Sequence, residues 1–239
     1  MANMKAAVII TAGGLGKRFG EGIDKLPKQF IPLSNKPIIA HSIQAFESSD
    51  FIKEIILVVP DNWIEYTKAQ IVDQFDIKKV SKVIAGGAQR QDSVRKGLSS
   101  LLTKPDIVAV HDGVRPFITV DIIEEVITEA ANSGGAIAAI PATDTIKQSS
   151  SEHIIEKTVA RNKIWFAQTP QAFKHEILLE AFEKASEEGY LGTDEAELVE
   201  RIGREVKLVL GSKNNMKITT PEDLELGELI IKTGVVNKK

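Results

Sequence analysis

The sequence contains no cysteine, so disulfide bridges, thiolate catalysis and zinc sites built on sulfur are excluded. Histidine is scarce, with only four residues in the chain, and no Cys/His cluster that could bind a metal is present. The chain also lacks a basic excess, since its net charge is −3 and its pI about 5.9. These values argue against a nucleic-acid partner, and any phosphate ligand must be held by a few placed cations.

No long hydrophobic run is present either. The apolar run at residues 6–10 is too short for a signal sequence or a membrane span, and a glycine-rich turn follows it at once. We therefore expect a cytoplasmic protein. The length suits one large α/β domain, and no linker divides residues 1–239, so a single domain is predicted.

Short β-branched runs alternate with longer amphipathic segments along the chain. The apolar runs predict strands buried on both faces of a sheet. These predicted strands are 6–10, 54–59, 80–85, 107–110, 136–140 and 206–210. The segments between them predict helices at 37–46, with Pro37 at the first helical position, and at 62–75, 90–102, 121–131, 175–187, 194–202 and 221–232.

This alternation predicts an α/β fold that is Rossmann-like, with a mostly parallel sheet and helices on both faces. Ligands of such sheets bind at the carboxyl ends of the strands. Residues 143–164 break the pattern, because a polar tip at 148–152 separates two short alternating segments. They predict a protruding β-hairpin arm, and an isolated hairpin is marginal in water, so the arm is expected to pack on something.

A glycine-rich loop, TAGGLGKRFG, follows the first strand at residues 11–20. Thr11 and Arg18 break the pattern of a P-loop, and Phe19 breaks that of a dinucleotide-binding loop. Two interpretations remain open: a phosphate loop that carries the cations Lys17 and Arg18, or a tight surface turn.

Further motifs follow in order, and with that loop they resemble the 2-C-methyl-D-erythritol 4-phosphate cytidylyltransferase family of the non-mevalonate isoprenoid pathway. The resemblance covers nearly the whole chain and depends on the order and spacing of the motifs. They are LPKQF at 26–30, GGAQRQDSV at 86–94, HDGVRP at 111–116, DTIK at 144–147, VARN at 159–162, WFAQTPQ at 165–171, TDEA at 193–196, KIT at 217–219 and PEDL at 221–224.

The resemblance implies a nucleotidyltransferase fold and a role for each matching residue. The implied catalytic cations are Arg18, Lys28 and Lys217, and the implied nucleotide-binding residues are Ala12, Gly13, Gly14, Gly16, Gly87, Arg90 and Ser93. Arg115, Thr145, Arg161 and Thr169 are the implied acceptor-binding residues, and Asp112 is the implied ligand of Mg²⁺ or another divalent cation.

The resemblance also implies a reaction and a homodimer. A phosphate oxygen of the acceptor attacks the α-phosphorus of CTP and pyrophosphate leaves. No general base is needed, because a phosphate monoester is already ionised near neutral pH. The arm is expected to cross the dimer interface and to carry Arg161 into the acceptor pocket of the neighbouring chain.

Three other functions compete with this one. A ribitol-5-phosphate cytidylyltransferase is a close relative, and the residues Asn214, Asn215 and Met216 before Lys217 depart from the more usual Asp-Asn-Ile. A catalytically silent nucleotide-binding regulator would share the fold. An NAD-linked oxidoreductase is disfavoured by Phe19 and by the lack of an acidic residue about 20 positions beyond the loop.

The site residues also have plainer interpretations. An isolated Arg or Lys is more often a solvated surface cation than a ligand. Asp112 at a strand end is equally typical of a turn or cap, and Arg115 could serve only to pair with it.

Overall fold

The structure is a computed structural model, and it describes residues 4–14 and 26–234. Its central sheet has seven strands in the order β11-β7-β10-β6-β1-β4-β5, and β2–β3 and β8–β9 form two small antiparallel pairs. The strands are β1 Ala6–Thr11, β2 Pro32–Leu33, β3 Lys36–Pro37, β4 Ile52–Val59, β5 Val80–Ala85, β6 Ile107–Asp112, β7 Gly135–Pro141, β8 Ile146–Ser149, β9 Ile155–Val159, β10 Trp165–Lys174 and β11 Lys207–Leu210.

Helices cover both faces of this sheet. They are α1 Ile38–Glu47, α2 Ile64–Thr67, α3 Arg90–Ser99, α4 Val120–Ser133, α5 His175–Glu187, α6 Glu195–Arg201 and α7 Pro221–Thr233. The side chains of β1 alternate between two layers: Val8 and Ile10 pack with α1 and α4, whereas Ile9 packs with α3, α5 and α6. Fully burying one such side chain is worth about 1.5–3 kcal/mol, so this alternation fixes β1 between two helical layers.

One strand runs against the others. Strand β10 is antiparallel to both of its neighbours, β6 and β7, while the remaining pairs of the large sheet are parallel. Because β10 runs in the reversed direction, its first residues lie beside the carboxyl ends of β6 and β7. Side chains from the start of β10 therefore lie at the carboxyl ends of the parallel strands, where α/β proteins bind ligands.

The predicted fold class is confirmed, with a mostly parallel sheet between two layers of helices. All six predicted strands are present, and 107–110 continues to Asp112. Strand β10 was missed because its apolar residues are interrupted by Gln168, Thr169 and Gln171, which do not form a continuous buried run.

Three of the helix predictions were wrong in detail. Pro37 is not the first residue of a helix, because it pairs in β3 with Pro32 and immediately precedes α1. The helix predicted at 62–75 consists of a 3₁₀ turn, Asp61–Trp63, then α2, then a π-helical segment, Lys68–Asp73. Helix α3 also ends earlier than predicted, at Ser99.

The predicted hairpin arm is present as β8 and β9, which, within residues 4–14 and 26–234, pair with each other and with no other strand. The arm extends the longer hairpin that β7 and β10 form. A hydrogen bond from the Ala142 amide to the Ile164 carbonyl, at 2.9 Å, closes the base of the arm. Ile154 and Ile155 near its tip are 62% and 61% exposed. Within one chain, the arm thus leaves large apolar side chains in water.

In the part of the chain that the structure describes, no helix combines the length and the apolar character needed to cross a membrane.

Candidate active site

A cavity of about 220 Å³ opens at the carboxyl ends of the parallel strands β1 and β6. Two glycine-containing loops, three cations and one carboxylate border it. The lining residues are Thr11, Ala12, Gly13, Gly14, Lys28, Gln29, Gly87, Ala88, Gln89, Arg90, Ser93, Asp112, Val114 and Lys217. The structure therefore brings together most of the residues that the sequence implied for nucleotide binding and catalysis.

The first loop begins directly after β1. The Ala12 amide donates to the Val58 carbonyl at 2.7 Å, and the Gln29 side-chain amide donates to the Ala12 carbonyl at 2.5 Å. Gln29 is 1% exposed and follows Lys28 in a 3₁₀ turn. This contact ties the segment that carries Lys28 to the glycine loop. Gly16 and Arg18, which the sequence also implied, lie outside the described residues.

The second loop lies between β5 and α3. The Gly87 amide donates to the Ser93 hydroxyl at 3.0 Å, and that hydroxyl donates to the Gln89 carbonyl at 3.2 Å. A Cβ on Gly87 would lie 2.3 Å from the Cβ of Asp92, so only glycine fits there. Ser93 thus shapes this wall of the cavity.

Asp112 is the charged centre of the site, because three cations surround its buried carboxylate. Arg90 Nε lies 3.3 Å from Oδ1, while Lys217 Nζ and Arg115 Nε lie 3.0 and 3.4 Å from Oδ2. Burial favours a higher pKa for Asp112, but Arg90, Lys217 and Arg115 outweigh it and hold that pKa well below its ordinary value. Asp112 is therefore ionised at neutral pH.

Arg90 bridges two carboxylates. Its Nη1 donates to Glu195 Oε1 at 2.7 Å, and its Nε contacts Asp112. Burial lowers the pKa of Arg90, but Glu195 and Asp112 overcome this and raise it above its ordinary value. Burial raises the pKa of Glu195, and Arg90 offsets only part of that rise.

His111 is a neutral, buried histidine whose two ring nitrogens both face groups of the protein. The Asp112 amide donates to the Thr169 hydroxyl at 3.0 Å, and that hydroxyl lies 3.0 Å from His111 Nδ1. It donates to Nδ1, because the Arg115 carbonyl at the other ring nitrogen can only accept and so places the proton of a neutral ring there. The remaining ring nitrogen, Nε2, faces the Arg115 carbonyl at 3.4 Å. Burial lowers the pKa of His111 to about 3, which keeps the ring neutral.

The four acceptor residues implied by the sequence fall into two groups. Arg115 and Thr169 contact Asp112 directly, and Arg115 Nη1 also donates to the Asn215 carbonyl at 2.8 Å. Thr145 and Arg161 lie at the base of the arm, where Arg161 Nη1 donates to the Thr143 carbonyl. Both are exposed, and neither borders the cavity of its own chain.

Several buried polar residues of the site were not assigned from the sequence. Gln171, 2% exposed, accepts from the amides of Glu195 and Ala196 at 3.1 and 3.0 Å and so holds the start of α6. Asn215 donates to the Thr169 carbonyl at 2.8 Å. Polar residues inside the otherwise apolar β10 were the available signal, since a buried polar group needs a partner.

The family described as "IspD: 2-C-methyl-D-erythritol 4-phosphate cytidylyltransferase" matches residues 6–233. The chain belongs to this family. As a member it is a CTP-dependent nucleotidyltransferase, and residues 11–20 lie within the family match.

Curated relatives of this cytidylyltransferase carry the same name. The protein of Syntrophus aciditrophicus is 44% identical over 228 residues, covering 95% of this chain and 96% of its own. That of Alkaliphilus oremlandii is 45% identical over 229 residues, covering 96% of both. The match over nearly full length favours this activity over ribitol phosphate transfer, a silent regulator and an oxidoreductase.

Solved structures with similar folds carry related names. A 4-diphosphocytidyl-2C-methyl-D-erythritol synthase from Anaerococcus prevotii has a TM-score of 0.84 at 27% identity and covers 96% of both chains. The Francisella tularensis 2-C-methyl-D-erythritol 4-phosphate cytidylyltransferase has a TM-score of 0.78 at 30% identity, covering 94% of this chain and 99% of that one.

Proposed function

We propose that this cytidylyltransferase transfers the CMP group of CTP to 2-C-methyl-D-erythritol 4-phosphate, yielding 4-diphosphocytidyl-2-C-methyl-D-erythritol and pyrophosphate. The observation that carries the proposal is the cluster of Arg90, Arg115 and Lys217 around the buried Asp112. It stands beside a glycine loop at the carboxyl ends of parallel strands, where phosphates bind.

The chemistry needs positive charge more than proton transfer. The acceptor phosphate has a second pKa near 6, so it is ionised and nucleophilic at neutral pH. The barrier comes from bringing two polyanions together and from charge that develops on the α-phosphate oxygens. Lys28, Arg90 and Lys217 border the cavity and supply positive charge there. The neutral, fully engaged His111 fits a reaction without a general base.

We assign the cavity to CTP and the side of Asp112 next to Arg115 and Thr169 to the acceptor. Ala12, Gly13, Gly14 and Gly87 offer close backbone approach to the nucleotide, and Lys28 with Lys217 faces its phosphates. The role of Arg18 in that set stays a prediction from the sequence.

Pyrophosphate release measured with each of CTP, UTP, ATP and GTP, against methylerythritol 4-phosphate or ribitol 5-phosphate, tests this function. We expect the highest kcat/KM for CTP with methylerythritol phosphate, and the nucleotide product identifies the transferred group. Faster turnover with ribitol 5-phosphate at subsaturating concentration would reassign the acceptor. A preference for UTP or ATP would overturn the nucleotide assignment.

The residues present fit a divalent cation that arrives with the nucleotide. Among the described residues, no group of three or more His, Asp or Glu side chains could hold a metal ion alone. Mg²⁺ typically takes one or two carboxylates together with phosphates and waters, and Asp112 provides one ionised carboxylate at the cavity wall. A bound Mg²⁺ neutralises phosphate oxygens and orients the leaving group.

Asp112→Asn tests this assignment. The amide keeps the size of the side chain but loses the charge, so we expect a lower kcat and a higher Mg²⁺ concentration at half-maximal rate. Initial rates across a Mg²⁺ titration at saturating CTP provide the measurement. Asp61→Asn, in the exposed turn before α2, is the matched control. Wild-type rate with an unchanged titration curve would make Asp112 purely structural.

We also propose that the protein is a homodimer held through the arm. Ile154 and Ile155 on the arm and Phe166 at the start of β10 are more than half exposed in a single chain. A two-stranded hairpin with such side chains is unstable alone, and a symmetric partner is the commonest way to cover them. Arg161 would thereby reach the acceptor side of the neighbouring cavity. The cytoplasmic location stays a prediction.

A further inference from the structure

Glu195 is a buried carboxylate that the reaction as proposed above does not use. It is 1% exposed and does not border the cavity. Its position is fixed at the first residue of α6, since its amide donates to Gln171 and the Asp194 side chain caps the same helix. Taking an ionised carboxylate out of water is costly unless a cation faces it, and Arg90 is that cation.

Arg90 contacts the two carboxylates unequally. The Arg90–Glu195 contact is 2.7 Å, whereas the Arg90–Asp112 contact is 3.3 Å. Glu195 Oε2 is buried and, within residues 4–14 and 26–234, has no hydrogen-bond partner. Glu195 thus has an unused acceptor, and carboxylates readily accept two parallel hydrogen bonds from one guanidinium.

Asp112, by contrast, has cationic partners at both of its carboxylate oxygens. Arg90 contacts Oδ1, and Arg115 and Lys217 contact Oδ2. A cation that arrives with the nucleotide needs one of those oxygens. Of these three cations, Arg90 alone is paired with a second carboxylate in the part of the chain that the structure describes. It can therefore leave Asp112 without losing its counter-charge.

We infer that Glu195 is a positioning residue that holds Arg90 at the cavity wall. When the nucleotide and its cation bind, Arg90 breaks its ion pair with Asp112 and pairs with Glu195 alone. The inference deepens the proposed function and rests on it. Glu195 acts through Arg90 and touches no substrate. Its loss weakens nucleotide binding in two ways: Arg90 loses its orientation, and it remains paired with Asp112.

Glu195→Gln is the first variant, because it keeps the shape of the side chain but removes the charge and the second acceptor oxygen. Calorimetric titration with CTP, with and without Mg²⁺, gives the readout. With Mg²⁺ present we expect the Kd for CTP to rise about tenfold, as for loss of a charge-assisted hydrogen bond. Without Mg²⁺ the rise is smaller. In turnover, the KM for CTP rises and kcat changes less.

Arg90→Gln separates positioning from a general structural effect. If Glu195 acts through Arg90, then adding Glu195→Gln to Arg90→Gln changes the Kd for CTP by less than about twofold. Full additivity of the two substitutions would overturn the inference. Glu197→Gln is the matched control: Glu197 lies on the same helix but accepts from Tyr190 and Thr193, and we expect an unchanged Kd.

Glu195→Asp covers the case in which Glu195→Gln fails to fold. It retains the buried charge but withdraws the carboxylate from Arg90 by one methylene, so we expect a raised Kd for CTP with Mg²⁺. A wild-type Kd in a folded Glu195→Asp or Glu195→Gln variant would refute the inference. If the wild-type protein itself binds no CTP, the proposed function fails instead.

Discussion

Replacing Lys28 by alanine is expected to lower kcat about a hundredfold while the KM for CTP changes little. The reason is that a cation facing charge that develops only in the transition state stabilises that state more than the bound substrate. The fold around Lys28 should survive, because Gln29 remains bound to Ala12 and Phe30 remains stacked on Trp63. Initial rates at varied CTP with saturating acceptor give both constants.

Lys53→Ala is the control for this experiment, since Lys53 is an exposed lysine of β4 whose ammonium group donates to the Asp50 carbonyl. We expect wild-type constants for it. A Lys28→Ala enzyme with normal kcat and a raised KM would instead make Lys28 a ground-state ligand of CTP. From the family resemblance alone, Arg18→Ala should behave like Lys28→Ala.

Mixing two inactive variants is expected to restore activity. If each site takes Lys28 from one chain and Arg161 from the other, Lys28→Ala and Arg161→Ala homodimers are both nearly inactive. Co-refolded together, about half of the dimers are mixed, and each mixed dimer has one intact site and one doubly broken site. Roughly a quarter of the wild-type activity should return.

The control for this mixing experiment is Lys28→Ala co-refolded with Asp112→Asn. Both residues border the same cavity of one chain, so every site of their mixed dimers lacks one of the two residues, and we expect no activity to return. Recovery with Arg161→Ala but none with Asp112→Asn is the result expected for a shared site. Recovery in neither mixture, once chains carrying different mass tags show that subunits have exchanged, would show that Arg161 serves its own chain. A monomeric mass in sedimentation would contradict the dimer itself.

The layout of the sheet was predictable because burial on both faces leaves a direct mark on the sequence. Strands β1, β4 and β6 are dominated by isoleucine, valine and alanine, and they were placed to within two residues. The hairpin arm was also predictable, since its polar tip and alternating flanks differ from every other segment. The glycine loop was noticed because it follows an apolar strand, whereas the role of Asp112 was implied by the family resemblance.

The contacts within the site were harder to predict from the sequence. The roles of Glu195 and Gln171 depend on contacts between residues far apart in sequence, such as that between Arg90 and Glu195. No local pattern encodes such a contact. Strand β10 escaped prediction for a related reason, because the polar residues that serve the site interrupt its apolar pattern.

The reversed direction of β10 has a consequence for how this scaffold can change. Between two parallel strands, the connection must run from the carboxyl end of the first strand to the amino end of the second, which lies at the opposite end of the strands. Here the connection from β7 to β10 begins and ends at the same end of the sheet, the end at which Asp112 and Thr169 lie. Such a connection does not have to span the length of the sheet, so its own length can vary. Insertions and deletions at the arm can remodel the surroundings of the catalytic edge while the seven-stranded core stays as it is.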